Sequence, residues 1–179
     1  MEHIEILDTT LRDGEQMKGV SFSPDEKLAV ARMFLEKLNI DRIEICSARV
    51  SMGELKAAQK ICQWAKKNSY LERVEILGFV DGEKSLEWIK KAGGKVLNLL
   101  VKGSSSHLAL QIRKTLDQHI NDIGSIFSKA LKIEINVYLE DWSRGLEDSR
   151  DYVFKLTENL QKFGAKRLML AHTLGILSP

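Results

Sequence analysis

Proline and cysteine are nearly absent, at two residues each in a 179-residue chain, and aromatic residues make up only 7%. The two thiols, Cys46 and Cys62, stand alone with no zinc-like or redox spacing. They therefore exclude a disulfide framework and read as buried small apolar residues. No low-complexity or proline-rich linker marks a domain boundary, so a single domain over residues 1–179 is expected. No apolar run approaches the ~20 residues of a membrane span. The start, Met1-Glu2-His3-Ile4, lacks a charged region followed by an apolar one. Neither sign of charge dominates, because 27 Lys and Arg stand against 25 Asp and Glu without a basic block. Nucleic-acid binding thus has no electrostatic support, membrane association has none either, and a cytoplasmic location is expected.

What is present is a regular alternation of strand and helix signals. Ile4 to Leu7 reads as a first strand. Ser23-Pro24-Asp25-Glu26 supplies an N-cap, a proline at the first helical position and a capping-box acid, followed by an apolar face of Leu28, Ala31, Phe34, Leu35 and Leu38. Arg42 to Cys46 is a second strand with Glu44 between two isoleucines. Ser51 to Glu54 repeats the capping pattern and opens a helix through Ala65. Val74 to Val80, Val96 to Val101, Ile133 to Leu139 and Arg167 to Ala171 read as strands three to six. Lys84 to Ala92, the stretch from the Thr115 capping box to Ala130, and Ser149 to Phe163 with its Gly164 stop read as helices between them. The β-then-α repeat of roughly 30 residues argues for a parallel sheet covered on both faces.

Chemistry concentrates after the first strand, in Asp8-Thr9-Thr10-Leu11-Arg12-Asp13-Gly14-Glu15-Gln16. A carboxylate beside a planar cation at a strand end suits a divalent ion together with a substrate carboxylate or a developing enolate. It equally describes a solvated turn with an internal ion pair. If the strands are parallel neighbours, their C-terminal ends gather Arg12, Asp13, Glu44, Arg49, Leu77, Leu100, Tyr138, Glu140 and Thr173.

The nonapeptide, with Gly19-Val20-Ser21-Phe22-Ser23, Arg42-Ile43-Glu44-Ile45 and Ser47-Ala48-Arg49-Val50-Ser51, resembles the metal-dependent pyruvate-lyase-like TIM barrels, and among them the citramalate and 2-isopropylmalate synthases. That resemblance implies an α/β fold of TIM (βα)8 type and a Claisen-type condensation of acetyl-CoA with a 2-oxo acid in branched-chain (leucine and isoleucine) biosynthesis. It gives Asp13 a place on a divalent metal (Mg, Mn or Zn) and Arg12 the stabilisation of charge on the keto-acid carbonyl, with Glu44 buttressing the arginine. Tyr138 and Glu140 match a strand-five pair whose acid assists proton transfer, and Thr173 matches a threonine that binds the substrate carboxylate. Leu77, Leu100 and Tyr138 fall at the keto-acid side-chain pocket, where three bulky residues favour pyruvate over 2-oxoisovalerate. Leu77 and Leu100 read equally as core leucines.

Of the histidines, His107 after strand four is either a site residue or an exposed helix start, and His3 and His119 are expected on the surface. His172 precedes Thr173 where the family usually has an aspartate, which alters the charge at that strand end. Five βα units and a sixth strand end at Ser178-Pro179, a helix-start pattern. The chain is therefore expected to be part of a barrel, lacking the family's later His-x-His metal ligands and inactive by itself. Homodimer or higher association is expected. Two alternatives stand beside the synthase: a hydroxyacyl-CoA lyase of the same superfamily, and a non-catalytic paralogue that associates through an open strand edge.

Overall fold

The computed structural model describes residues 4–171 together with 173 and 175. Its strands are β1 (Leu7–Asp8), β2 (Arg42–Ser47), β3 (Val74–Phe79), β4 (Val96–Lys102), β5 (Glu134–Glu140) and β6 (Leu168–Leu170). Its helices are α1 (Pro24–Arg32), α2 (Met52–Lys67), α3 (Lys84–Ala92), α4 (Ser105–His107), α5 (Leu116–Ala130), α6 (Trp142–Asp148) and α7 (Arg150–Phe163). Sheet order is chain order, β1-β2-β3-β4-β5-β6, and the pairs β1–β2, β2–β3 and β5–β6 are parallel. This is the TIM-type α/β alternation, carried among the described residues through five βα units and a sixth strand. The chain divides into two compact units, Met1–Gly78 with Lys84–Leu97 and Phe79–Glu83 with Asn98–Pro179.

In the first unit the caps act as their residue types dictate. The Ser23 hydroxyl accepts from Glu26 N at 3.3 Å while Ser23 N donates to the Glu26 carboxylate at 2.7 Å, which closes a capping box around Pro24. Ser51 caps α2 by accepting from Glu54 N at 3.1 Å, but the Glu54 carboxylate turns instead to Lys27 Nζ at 2.8 Å. α2 buries Ile61 together with the small side chains of Ala57, Ala58, Cys62 and Ala65 and packs against α1 and α3. Arg42 to Cys46 of β2 are all buried, as a parallel strand covered on both faces requires. Both thiols are free and buried, and burial pushes Cys62 up to about 12.

Two expectations in this unit are corrected. β1 starts at Leu7 rather than Ile4, because Asp41 Oδ2 accepts from Ile6 N at 2.9 Å where a neighbouring strand would do so. Leu38 does not continue the apolar face of α1 and is 57% exposed. A π-turn at Met33–Lys37 breaks the 3.6-residue period before that residue is reached.

In the second unit Leu99, Val101, Ile123, Val137, Leu139, Leu156 and Leu160 are fully buried. α5 begins with the Thr115–Gln118 capping box, and α7 stops at Gly164, whose φ of 89° suits a residue without a Cβ. His119, expected on the surface, is buried on α5, and its Nε2 accepts from Lys102 N at 3.3 Å. Burial lowers its pKa from 6.5 to about 4, which keeps the imidazole neutral. α6 was not anticipated, and the helix start expected at His107 falls at Ser105. α6 follows Asp141 at φ 62° and contains Gly145, so neither its cap nor its composition announces a helix. No helix among the described residues is long and apolar enough to cross a membrane. His3 and His172 lie outside the described residues.

Candidate functional site

In the first unit the loop after β1 is wound tightly on itself. Thr9 O accepts from Arg12 N at 3.0 Å, Asp13 N at 2.7 Å and Gly14 N at 3.3 Å, and Asp8 Oδ1 accepts from Thr10 N at 2.9 Å. That winding buries Leu11 and sends Arg12 toward β2. Arg12 Nε donates to Glu44 Oε2, and Arg12 Nη1 donates to Asp13 Oδ1 at 2.7 Å. The Glu44 carboxylate is wholly buried, the Arg12 guanidinium is 15% exposed and the Asp13 carboxylate 61%. The structure therefore brings together three of the residues singled out from the sequence, with Glu44 behind the arginine as a buttress and Asp13 facing water.

Glu44 stands in register with Glu75 of β3, which makes two buried carboxylates neighbours across the strand pair. Each has its own arginine, since Arg42 Nε donates to Glu75 as Arg12 does to Glu44. Unpaired, two such charges would be costly to bury side by side. Leu77, on the same face of β3, is buried and passes its carbonyl to Ala48 N at 2.7 Å. Arg49 is exposed with φ 67°.

Beside Arg12 lies a cleft of about 320 Å³ whose lining includes Leu11, Glu15, Gln16, Cys46, Ser51 and Glu54. Two of these lining residues, Glu15 and Glu54, pair with a residue that sequence reasoning missed. Lys27 of α1 is fully buried with its ammonium among Glu15, Glu54 and two main-chain carbonyls. Burial alone would lower its pKa, but hydrogen bonds and charge from Glu15 and Glu54 raise it overall.

In the second unit the ends of β4 and β5 carry the predicted residues. Tyr138 and Glu140 occupy one face of β5 and are half-buried, and Leu100 on β4 is half-buried as well. Glu140 is paired with Lys102, whose Nζ also donates to Gln111 Oε1 at 2.5 Å. The lysine is held at its backbone too, since Tyr152 Oη donates to its carbonyl at 2.7 Å and its N–H meets His119. Lys102 went unnoticed in the sequence because it reads as the polar end of an apolar strand. Ser104 Oγ donates to buried Asp141 Oδ2 at 2.7 Å, and His107 Nε2 lies 3.4 Å from the same oxygen. Thr173 Oγ1 accepts from Asp141 N at 3.0 Å and donates to Ala171 O at 3.3 Å. Glycine is needed twice here: a Cβ on Gly103 would lie 2.8 Å from Glu140 O, and one on Gly145 would overlap the Gly103 carbonyl.

A divalent cation on Asp13 finds too few partners. Its Oδ1 is engaged by Arg12, and among the described residues no three carboxylate, imidazole or thiol side chains gather as a ligand set.

The HMGL-like family profile matches residues 3–179. The chain is 32% identical over 178 residues to the (R)-citramalate synthase of Methanocaldococcus jannaschii, covering 98% of this chain and 34% of that protein. It is 30% identical over 178 residues to the 2-isopropylmalate synthase of Syntrophus aciditrophicus, covering 99% and 34%. It thus spans about a third of the length of the curated relatives it matches. Among solved structures, hydroxymethylglutaryl-CoA lyase from Pseudomonas aeruginosa superposes with a TM-score of 0.77 at 16% identity, over 98% of this chain and 59% of that one, a likeness of fold.

Proposed function

The chain belongs to the HMGL-like family, and on that premise we propose that it is the 2-oxo acid-binding portion of an acyltransferase of citramalate or 2-isopropylmalate synthase type. The observation that carries this reading is the Arg12–Glu44–Asp13 array at the edge of a cleft. A guanidinium fixed from behind by a buried carboxylate is a pre-oriented planar cation, suited to a keto-acid carboxylate and to the alkoxide that grows on its carbonyl during condensation. Glu140, held by Lys102, takes the proton-transfer role at the acetyl-CoA methyl group, and Thr173 the anchoring of the substrate carboxylate. Among the described residues no ligand set for a metal gathers around Asp13, so no step is assigned to a cation. The pathway served is branched-chain amino-acid biosynthesis.

By family resemblance Leu77, Leu100 and Tyr138 are assigned to the keto-acid side chain, and on that assignment their bulk favours the methyl of pyruvate over the isopropyl group of 2-oxoisovalerate. Calorimetric titration of the chain with each acid tests this. Pyruvate is expected to bind tighter, by roughly tenfold for the methylenes a full pocket rejects. The variant Leu77→Ala is expected to narrow the gap. Equal binding, or tighter binding of 2-oxoisovalerate by the unaltered chain, would overturn the substrate assignment.

A further inference from the structure

Lys27 occupies the first turns of a capped surface helix, where a lysine ordinarily reaches water. Here its ammonium is sealed in by oxygens from three directions. Leu11 O lies at 3.1 Å and Glu15 Oε2 at 2.5 Å, both from the loop after β1. Ile45 O of β2 lies at 3.3 Å, and both Glu54 oxygens of α2 lie at 2.8 Å. Two carboxylates and two main-chain carbonyls around one compact charge make the donor set of a hard-cation cage, filled in this chain by its own side chain. Burying an ammonium is costly unless its charge and its protons are all answered, and this cage answers them.

The loop contacts fall on both sides of the candidate site in sequence. Leu11 immediately precedes Arg12, and Glu15 follows Asp13 by two residues. Glu15 is held a second time, through Phe22 N at 2.9 Å on its other oxygen. The grip on Arg12 from Glu44 is to the side chain alone, whereas the main chain that carries Arg12 is gripped through Leu11 O.

We propose that Lys27 is the positioning residue of the Arg12–Asp13 pair, its ammonium acting as the resident cation of an oxygen cage on which the loop after β1 is seated. The inference concerns the loop itself and holds whichever acid the cleft receives. Its test therefore uses no substrate and stands apart from the keto-acid titrations.

Arg12 Nε–H, bonded to the buried Glu44 carboxylate, provides the reporter: a side-chain NMR resonance assigned by its disappearance in Arg12→Lys. In Lys27→Ala the resonance is expected to leave its position while circular dichroism still reports a folded chain. Added n-propylammonium chloride, which matches the deleted side chain, is expected to restore it, and sodium chloride at equal ionic strength is not. Lys27→Met fills the space without charge, so it is expected to lose the resonance with no rescue by the amine. Should Lys27→Ala fail to fold alone, Lys27→Met/Glu15→Gln/Glu54→Gln removes the ammonium and both carboxylates together, and loss of the resonance is again expected. An unmoved Arg12 signal in any folded variant, or a loss in Lys27→Ala that the amine does not reverse, would overturn the proposal.

Discussion

At the scale of single residues, the structure is governed by how each buried charge finds its opposite. Glu44 and Glu75 are adjacent and buried, and each pairs with an arginine. Replacing Glu44 by Gln removes the buried charge that faces Arg12 and is expected to cost about 3 kcal/mol, the low end for breaking a buried pair. A lowered urea midpoint at unchanged slope would register it. His119 gives a pH prediction. Its folded pKa of about 4 lies below the ordinary 6.5, so the unfolded chain binds the proton more readily. Stability is therefore expected to fall as pH drops from 6.5 toward 4, and His119→Gln should flatten that slope in denaturation curves measured across this range. Arg12, Asp13 and Glu44 were legible in the sequence because they sit in a contiguous motif or at a marked strand position. Lys27 and His119 were not. A polar residue on a helix is assigned to water by default, and only tertiary partners distant in sequence, Glu15 with Glu54 or the N–H of Lys102, make its burial affordable.

At the scale of elements, local chemistry carried most of the fold. Ser23, Ser51 and Thr115 start helices where the capping pattern places them, and Gly164 ends one. Removing such a cap with Thr115→Ala is expected to cost about 1 kcal/mol, measured by thermal or urea unfolding. The strand bounds shifted by one to three residues where side chains intervened, as Asp41 does at Ile6. α6 was invisible for a physical reason. It is entered through a left-handed aspartate and carries a glycine that no helix propensity favours, kept because Gly145 lies against the Gly103 carbonyl. Gly145→Ala should therefore destabilise the chain, by about 2 kcal/mol or more, despite alanine's better helix propensity. Its sign in an unfolding experiment separates backbone crowding from propensity.

At the scale of the whole molecule, β6 ends the sheet order, and Leu168 and Leu170 on it are 41% and 56% exposed. A strand edge with apolar side chains invites pairing with another chain. Sedimentation is expected to show mass rising with concentration, and Leu168→Lys/Leu170→Lys is expected to suppress that rise. The αβ alternation that identified the fold class was legible throughout, because a parallel sheet writes itself as repeated apolar runs and capped helices. The preference for one keto acid was not, since leucines at strand positions look alike whether they pack a core or line a pocket.

The account turns on the guanidinium held by Glu44 being the keto-acid anchor. Calorimetric titration of pyruvate into the chain and into Arg12→Lys, which keeps the charge but loses the planar fork, tests this most directly. Saturable binding by the unaltered chain that weakens at least about tenfold in the variant, or roughly 1.4 kcal/mol, is the predicted result. Equal affinity in both would contradict it.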